Sequence, residues 1–170
     1  MTEINLLEKE TLIRQVADTW YNRILDQTDR PKYAKKRTGI QVLVQQPTTR
    51  NIVNVRIYDP SMVAITLVSE KATRANMKGH VSSTNSRNLD LMQFGGAVTA
   101  TFDGITIQAS TSGLEEEEDV LVSIAELAVQ FDRPMLEICT NIAQNGGQLP
   151  PEFFEKSNFL HRLLQMPAKP

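Results

Sequence analysis

His80 is the residue of this 170-residue chain most open to a chemical role. An imidazole can bind a metal ion or transfer a proton near neutral pH. His80 follows a predicted helix and comes shortly before a run of small polar residues that begins with Ser82 and Ser83. The alternative is a histidine that only forms hydrogen bonds in a polar surface loop. The residue pattern leaves both interpretations open.

The other patterns contain no established catalytic or cofactor motif. The sequence has no glycine-rich phosphate loop, no HExxH zinc motif and no Gly-x-Ser-x-Gly nucleophile turn. The second histidine, His161, is far from His80 in the sequence. A Ser/His/Asp set could be assembled from Ser82, Ser83 and His80, but chains of this size commonly offer such a set. No motif therefore indicates a reaction type.

Two runs of charge are opposite in sign. Residues 115–119 are five consecutive carboxylates, and residues 30–37 contain five basic side chains together with Tyr33. Consecutive helical residues point in different directions, so the acidic run predicts a solvated helix start at the positive end of the helix dipole, not a metal site. The basic run predicts an anion-binding patch or a solvated surface loop. A third interpretation pairs the two runs, within one subunit or between subunits.

Composition is that of an ordinary single-domain globular protein, with 41% hydrophobic and 22% charged residues. A net charge of −2 argues against a nucleic-acid partner, because such proteins normally carry a basic excess. No apolar run approaches the roughly 20 residues that span a bilayer, and no leader is visible, so we expect no membrane partner and a cytoplasmic location. The single cysteine, Cys139, is expected to be a buried small hydrophobe.

Hydrophobic periodicity predicts the elements that would position these residues. Helices are expected at 5–25, 62–77, from 115 to 131, at 135–144 and at 152–165, and strands at 40–44, 52–58, 97–102 and 105–111. Asp103-Gly104 predicts a type I′ turn between the last two strands, and Ser61 is a predicted helix cap. Hairpins without βαβ units indicate an α+β fold, an antiparallel sheet covered by helices.

Two blocks of the sequence resemble the GlcG/HbpS-like family, which includes haem-binding and haem-degrading-type proteins and the C-terminal domain of PduO-type proteins. One block contains Gly95-Gly96, the Asp103-Gly104 turn, the Ser112-Gly113 corner and the acidic residues 117–119. The other, at residues 69–75, is similar to the KA-x-x-A signature of the helix before the family's middle loop. The resemblance covers about residues 40–130. The loop at 45–51 lacks the family's usual glycine, and residues after 135 have the pattern of an added extension.

The resemblance implies a profilin-like α+β fold, with an antiparallel sheet of about five strands flanked by helices. It divides the chain into a single domain at 1–134 and a C-terminal helical extension at 135–170, packed on that domain or on a neighbouring subunit. Related proteins often form ring-like homo-oligomers, and some bind haem or other small ligands. A homo-oligomer that binds a small molecule is therefore expected.

A candidate ligand site also follows from the resemblance. Lys71 and Arg74, three residues apart on one helical face, would hold a carboxylate or a haem propionate, and His80 would ligate the haem iron or face a substrate. The alternative is that Lys71 and Arg74 are exposed helix charges and that the paired glycines only shape the strand entry. The full candidate set is Lys71, Arg74, His80, Ser82, Ser83, Gly95 and Gly96.

Three functional hypotheses follow. The leading one is a small cytosolic homo-oligomeric protein of the GlcG/HbpS-like type that binds a small ligand, with haem or another tetrapyrrole as the candidate cofactor. The second is a non-catalytic structural or protein-interaction module, suggested by the apolar face of residues 152–165. The third is an enzyme of cofactor degradation, which would need His80 or a carboxylate at a pocket.

Overall fold

Helices and strands follow one another in the order that hydrophobic periodicity predicts. A computed structural model of the protein describes residues 4–31, 37–49 and 51–170. Its elements are α1 (Glu10–Leu25), β1 (Gly39–Gln45), β2 (Ile52–Tyr58), α2 (Met62–Lys78), β3 (Ala97–Phe102), β4 (Ile105–Ser112), α3 (Glu116–Phe131), α4 (Met135–Gln144) and α5 (Phe159–Leu164). Short 3₁₀ turns lie at Leu7–Lys9, Ser83–Ser86, Leu89–Leu91 and Pro151–Phe154. The fold is α+β, as predicted.

The strands of the described ranges form one antiparallel sheet in the order β2-β1-β4-β3. This sheet has four strands instead of the five or so that the resemblance implies. At the outer edge of β3, Ser82 forms an isolated antiparallel bridge with Val98, and the Thr99 N–H donates to the Val81 carbonyl at 2.8 Å. The segment after α2 therefore contacts the sheet edge where a fifth strand would lie, without extending into one.

The sheet is covered by helices on both faces. Val42 and Val44 belong to the main core together with residues of α1, α3, α4 and α5. Leu43, which points to the opposite face, packs against Val68 and Ala72 of α2. Because β1 is covered on both sides, nearly all of its residues are buried. α2 and α3 therefore lie on opposite faces of the sheet, and this arrangement decides how their side chains meet.

Local turn and cap chemistry agrees with the sequence. Asp103 and Gly104 have φ values of 53° and 76°, both positive as a type I′ turn requires. Ser61 accepts a hydrogen bond from the Ala64 N–H at 3.1 Å and caps α2. Cys139 is buried in α4, as expected. Among the described helices, each is too short or too polar to cross a bilayer.

The last part of the chain differs from the single helix predicted at 152–165. It consists of the Pro151–Phe154 turn and the separate helix α5. The Asn158 side chain accepts a hydrogen bond from the Leu160 N–H at 2.9 Å, so a new helix begins there instead of continuing an earlier one. Phe153 of the turn and the apolar residues of α5 pack into the main core of the same chain, whereas Phe154 is exposed.

Candidate functional site

Lys71 is a fully buried lysine of α2 that reaches past the end of the sheet. Its ammonium donates to the Thr111 carbonyl at 2.9 Å and to the Asp119 carboxylate at 3.2 Å. Since Asp119 belongs to α3, this ion pair joins the helical layers on the two faces of the sheet. The interpretation of Lys71 as an exposed helix charge is wrong, because the side chain is only 2% exposed.

Asp119 was not singled out from the sequence, yet it is the partner that holds Lys71. Its second carboxylate oxygen accepts a hydrogen bond from the Leu114 N–H at 3.0 Å. Burial raises the pKa of the Asp119 carboxyl to about 6, although the Lys71 ammonium and the Leu114 N–H act in the opposite direction. The carboxylate form at neutral pH therefore depends on these two partners.

Gly96 provides the space in which the lysine lies. A Cβ atom at Gly96 would lie 2.7 Å from the Lys71 Nζ and 2.6 Å from the Thr111 carbonyl oxygen, and its φ of 139° also favours glycine. The Gly96 carbonyl accepts hydrogen bonds from the Ser123 hydroxyl at 2.6 Å and the Thr111 N–H at 3.2 Å. Lys71 and Gly96 are thus two candidate residues that the fold brings into contact.

Arg74 anchors the segment that follows α2. Its guanidinium donates to the Ser86 hydroxyl at 2.8 Å and to the Ser83 carbonyl at 3.2 Å, and it also contacts the Glu70 carboxylate and the Phe94 carbonyl. The residue is buried, so the prediction of an exposed charge is wrong here too. Four of its five N–H donors have protein acceptors, so the protein itself fixes this side chain.

Ser82, Ser83 and Gly95 also have structural contacts. The Ser82 hydroxyl donates to the Gln148 carbonyl at 2.8 Å, and the Ser83 hydroxyl accepts from the Ala97 N–H at 3.0 Å. The Gly95 N–H donates to the Glu116 carboxylate at 2.9 Å. These residues lie around the start of β3 and fix the path of the chain into it.

His80 lies just after the left-handed Gly79 that ends α2. Its backbone N–H donates to the Ala75 carbonyl at 2.8 Å. The Nδ1 atom of its ring is buried and has no hydrogen-bond partner in the part of the chain that the structure describes. Within those same ranges, no group of three or more histidine, cysteine or acidic side chains is arranged to hold a metal ion. The fold does not bring His80 to the lysine.

A cleft of about 560 Å³, here called the Lys71 cleft, opens beside the ion pair. Val63 and Leu67 of α2 and Phe94, just before β3, form apolar walls. The charged groups of the lining are those of Lys71, Asp119, Arg37, Glu115 and Glu116. Of the seven candidate residues, all of which are described, only Lys71 lines this cleft. An apolar wall with a few convergent polar groups is the usual composition of a small-molecule site.

The acidic run at the start of α3 is paired with basic residues of the same chain. Arg30 binds Glu118 with two hydrogen bonds of 2.7 Å, and Arg37 contacts Glu115. The prediction that the two charge runs pair within a subunit is confirmed for these arginines, while the predicted roles of Tyr33 and the lysines near it lie outside the described residues. The prediction of a solvated helix start is wrong for Glu118 and Asp119, which are both buried.

Buried polar residues on α3 were also missed. Asp119, Ser123, Glu126 and Gln130 recur at spacings of four, three and four residues, which places them on one face of the helix. This polar spacing within an otherwise apolar helix is the sequence signal that could have identified them. Burial raises the pKa of Glu126 well above its usual value, and neither of its carboxyl oxygens has a hydrogen-bond partner among the described residues.

In comparisons with known proteins, the chain matches no protein-family model, no curated protein and no solved structure. The resemblance to the GlcG/HbpS-like family therefore stays a prediction from the sequence.

Proposed function

We propose that this protein binds a small ligand in the Lys71 cleft. The observation that carries this proposal is the buried Lys71–Asp119 ion pair beside an apolar-walled cavity. Taking two charges out of water is costly, and a buried pair often stabilises a fold no more than apolar residues of the same size. A buried carboxyl whose pKa is raised, beside a specific charge partner in a cleft, is instead typical of a functional site.

The chemistry of the cleft favours a ligand with an apolar body and an uncharged hydrogen-bond acceptor, such as a carbonyl oxygen, because three carboxylates and only two cationic side chains line it. A lysine ammonium has three N–H donors. Two of them have acceptors here, in Thr111 and Asp119. A ligand oxygen would take the third donor, while Val63 and Leu67 would contact the apolar body.

Filling the cleft tests this proposal. Leu67→Trp would place an indole against the ligand, whereas Thr66→Trp on the exposed side of the same helix is the matched control. We expect native mass spectrometry of the purified protein to detect a bound small molecule with the wild type and with Thr66→Trp, but not with Leu67→Trp. Equal occupancy in all three proteins, or no bound molecule in any of them, would contradict the proposal.

Haem binding is a narrower version of the proposal, and the candidate residues do not converge on it. Arg74 is committed to protein acceptors, and His80 does not line the Lys71 cleft. Haem ligation by His80 is therefore retained only as a prediction from the resemblance. A haemin titration followed by absorption tests it: a saturable Soret band that weakens in His80→Ala would support ligation, and a flat titration would exclude it.

We infer further that the domain is profilin-like, cytoplasmic and homo-oligomeric. The strand order β2-β1-β4-β3, with Val81 and Ser82 at the outer edge of β3, supports the profilin-like assignment. Exposed Leu89, Leu91 and Met92, between 53% and 64% accessible, support assembly through this region. Light scattering after gel filtration should give a multiple of the chain mass, and the mass of a single chain would contradict an oligomer.

The interaction-module hypothesis has less support. It depended on the apolar face predicted for residues 152–165. Phe159, Leu160, Leu163 and Leu164 of that segment pack into the core of their own chain, so most of that face is not available to a partner.

A further inference from the structure

Glu117 differs from the four acidic residues that surround it at the start of α3. Its neighbours each form an ion pair with a different basic residue, namely Glu115 with Arg37, Glu116 with Arg87, Glu118 with Arg30 and Asp119 with Lys71. Glu117 has no such partner in residues 4–31, 37–49 and 51–170. Glu152, near the other end of the chain, also lacks one in these ranges.

These two unpaired carboxylates line a second cavity, here called the Glu117 cleft. It has a volume of about 680 Å³ and lies between the first turn of α3, the segment around Arg87 and the segment 148–152. Val120, Leu149 and Pro150 contribute apolar walls.

The lining carries an excess of negative charge. The lining has three carboxylates, those of Glu116, Glu117 and Glu152, and one guanidinium, that of Arg87, which gives a net charge of −2. Arg87 is already bound to Glu116 through hydrogen bonds of 2.9 and 3.0 Å. The uncompensated charge therefore belongs to Glu117 and Glu152.

The local electrostatics of Glu117 are unfavourable in the absence of a cation. Burial, with a smaller repulsion from Glu152, raises the pKa of the Glu117 carboxyl to about 7. The hydroxyl oxygen of Thr84, which also lines the cleft, is buried and has no hydrogen-bond partner among the described residues. The Glu117 backbone N–H acts in the opposite direction on the pKa of Glu117. What Glu117 and Glu152 lack among the described residues is therefore a cationic partner, not every donor.

We propose that the Glu117 cleft binds a small organic cation, a primary ammonium or guanidinium group attached to an apolar body. The cationic N–H groups would donate to the Glu117 and Glu152 carboxylates, and the apolar body would contact Val120 and Leu149. A bare metal ion fits less well, because the described residues contain no group of three metal-ligating side chains. Glu116 lines both this cleft and the Lys71 cleft, but Glu117 and Glu152 line only this one, so its test does not depend on a ligand in the Lys71 cleft.

The direct test compares 2-phenylethylamine with 2-phenylethanol, which has nearly the same shape but no charge, by titration calorimetry at about pH 8, where an alkylammonium stays protonated. The wild type is expected to bind the amine at least about tenfold more tightly than the alcohol. Glu117→Gln should lose about tenfold in amine affinity and keep its affinity for the alcohol.

Glu155→Gln is the matched control, because it removes the same charge three residues from Glu152 at an exposed position outside the cleft. It should bind the amine as the wild type does. Glu152→Gln provides a second variant if Glu117→Gln is not folded by circular dichroism. Equal wild-type affinities for amine and alcohol, or unchanged amine binding in a folded Glu117→Gln or Glu152→Gln variant, would overturn the proposal.

A pH series adds a readout that a purely structural role of Glu117 would not change. Because the amine favours the ionised carboxylate, wild-type affinity should fall as the pH decreases through about 7, whereas Glu117→Gln should show a much smaller change. Magnesium chloride at low millimolar concentration should not displace the amine. Displacement by Mg²⁺ would contradict the organic-cation class and indicate a metal site.

Discussion

At the scale of single residues, Glu126 presents the clearest conflict between charge and environment. It is fully buried in the middle of α3, and its carboxyl oxygens lack hydrogen-bond partners in the described part of the chain. Burial raises its pKa well above the usual value, which favours the protonated form of the carboxyl. An unsatisfied polar group in a core costs about 1–3 kcal/mol.

We therefore expect Glu126→Leu to raise the free energy of unfolding by about 1–3 kcal/mol. The folded-state pKa is above the unfolded value, so the Glu126 contribution to stability falls as the pH rises from about 4.5 toward the folded pKa. Urea denaturation at about pH 5 and pH 8 should thus show a larger gain at the higher pH. Glu155→Gln serves as an exposed control, and a gain that does not change with pH would contradict the assignment.

The Lys71–Asp119 pair leads to a prediction of opposite sign. Removing one partner leaves the other charge buried and unpaired, so Lys71→Met should lower the free energy of unfolding by about 3–5 kcal/mol. Asp119→Asn keeps an oxygen that can accept from the Leu114 N–H. The double variant Lys71→Met/Asp119→Asn should recover much of the loss, and strictly additive effects in this double-mutant cycle would show that the two groups are not coupled.

At the scale of the elements, much of the fold could be predicted because its signals are local. β3 and β4 alternate apolar and polar residues around a turn whose two residues accept positive φ, and the structure has that hairpin. The burial of Lys71 could not be predicted in this way. It depends on Thr111 and Asp119, which lie 40 and 48 residues away in the sequence and meet the lysine only at the end of the folded sheet.

The residues of the two candidate clefts also could not be predicted from local sequence patterns. Two charged residues three positions apart on a helix can both be exposed or both be buried. For Lys71 and Arg74, only the packing of α2 against the sheet decides that they are buried. Glu117 and Glu152 are 35 residues apart and belong to different elements, so no local pattern connects them. The sequence predicted which residues carry charge, but not which charges remain without a partner.

The outer edge of β3 is protected by a side chain and not by a full strand. The Asn141 amide of α4 donates to the Thr101 carbonyl at 2.9 Å and accepts from the Thr101 N–H at 3.1 Å, as a neighbouring strand would. Asn141→Ala should therefore cost about 1 kcal/mol and leave this edge open to another chain. Asn145→Ala, on the same side of α4, is the control, since among the described residues the Asn145 side chain donates only to the Asn141 carbonyl of its own helix.

Thermal denaturation and light scattering on concentrated samples would measure both effects. Asn141→Ala should unfold at a lower temperature and aggregate earlier than Asn145→Ala. Equal aggregation of the two variants would mean that Val81 and Ser82 alone protect the edge.

At the scale of the whole molecule, the C-terminal segment completes the core. The Trp20 indole N–H donates to the Ala168 carbonyl at 2.9 Å, and Arg162 binds Asp29 with two hydrogen bonds of 2.8 Å. Phe159 and Leu160 pack into the same core as α1 and α3. These contacts connect the two ends of the chain, which favours one cooperative unit over a domain with an independent extension.

A fragment that ends at residue 134 is consequently expected to be unstable. It would expose Trp20 and the α3 residues that α4 and α5 cover in the full chain, and a domain loses its stability when so much apolar surface returns to water. Removing only Lys169 and Pro170 is the control, because both are exposed. Tryptophan fluorescence should shift to the red in the fragment and not in the control, with a cooperative thermal transition only in the control. If the fragment instead unfolds cooperatively with a buried tryptophan, residues 1–134 form an independent domain and the segment after it is an addition that the core does not need.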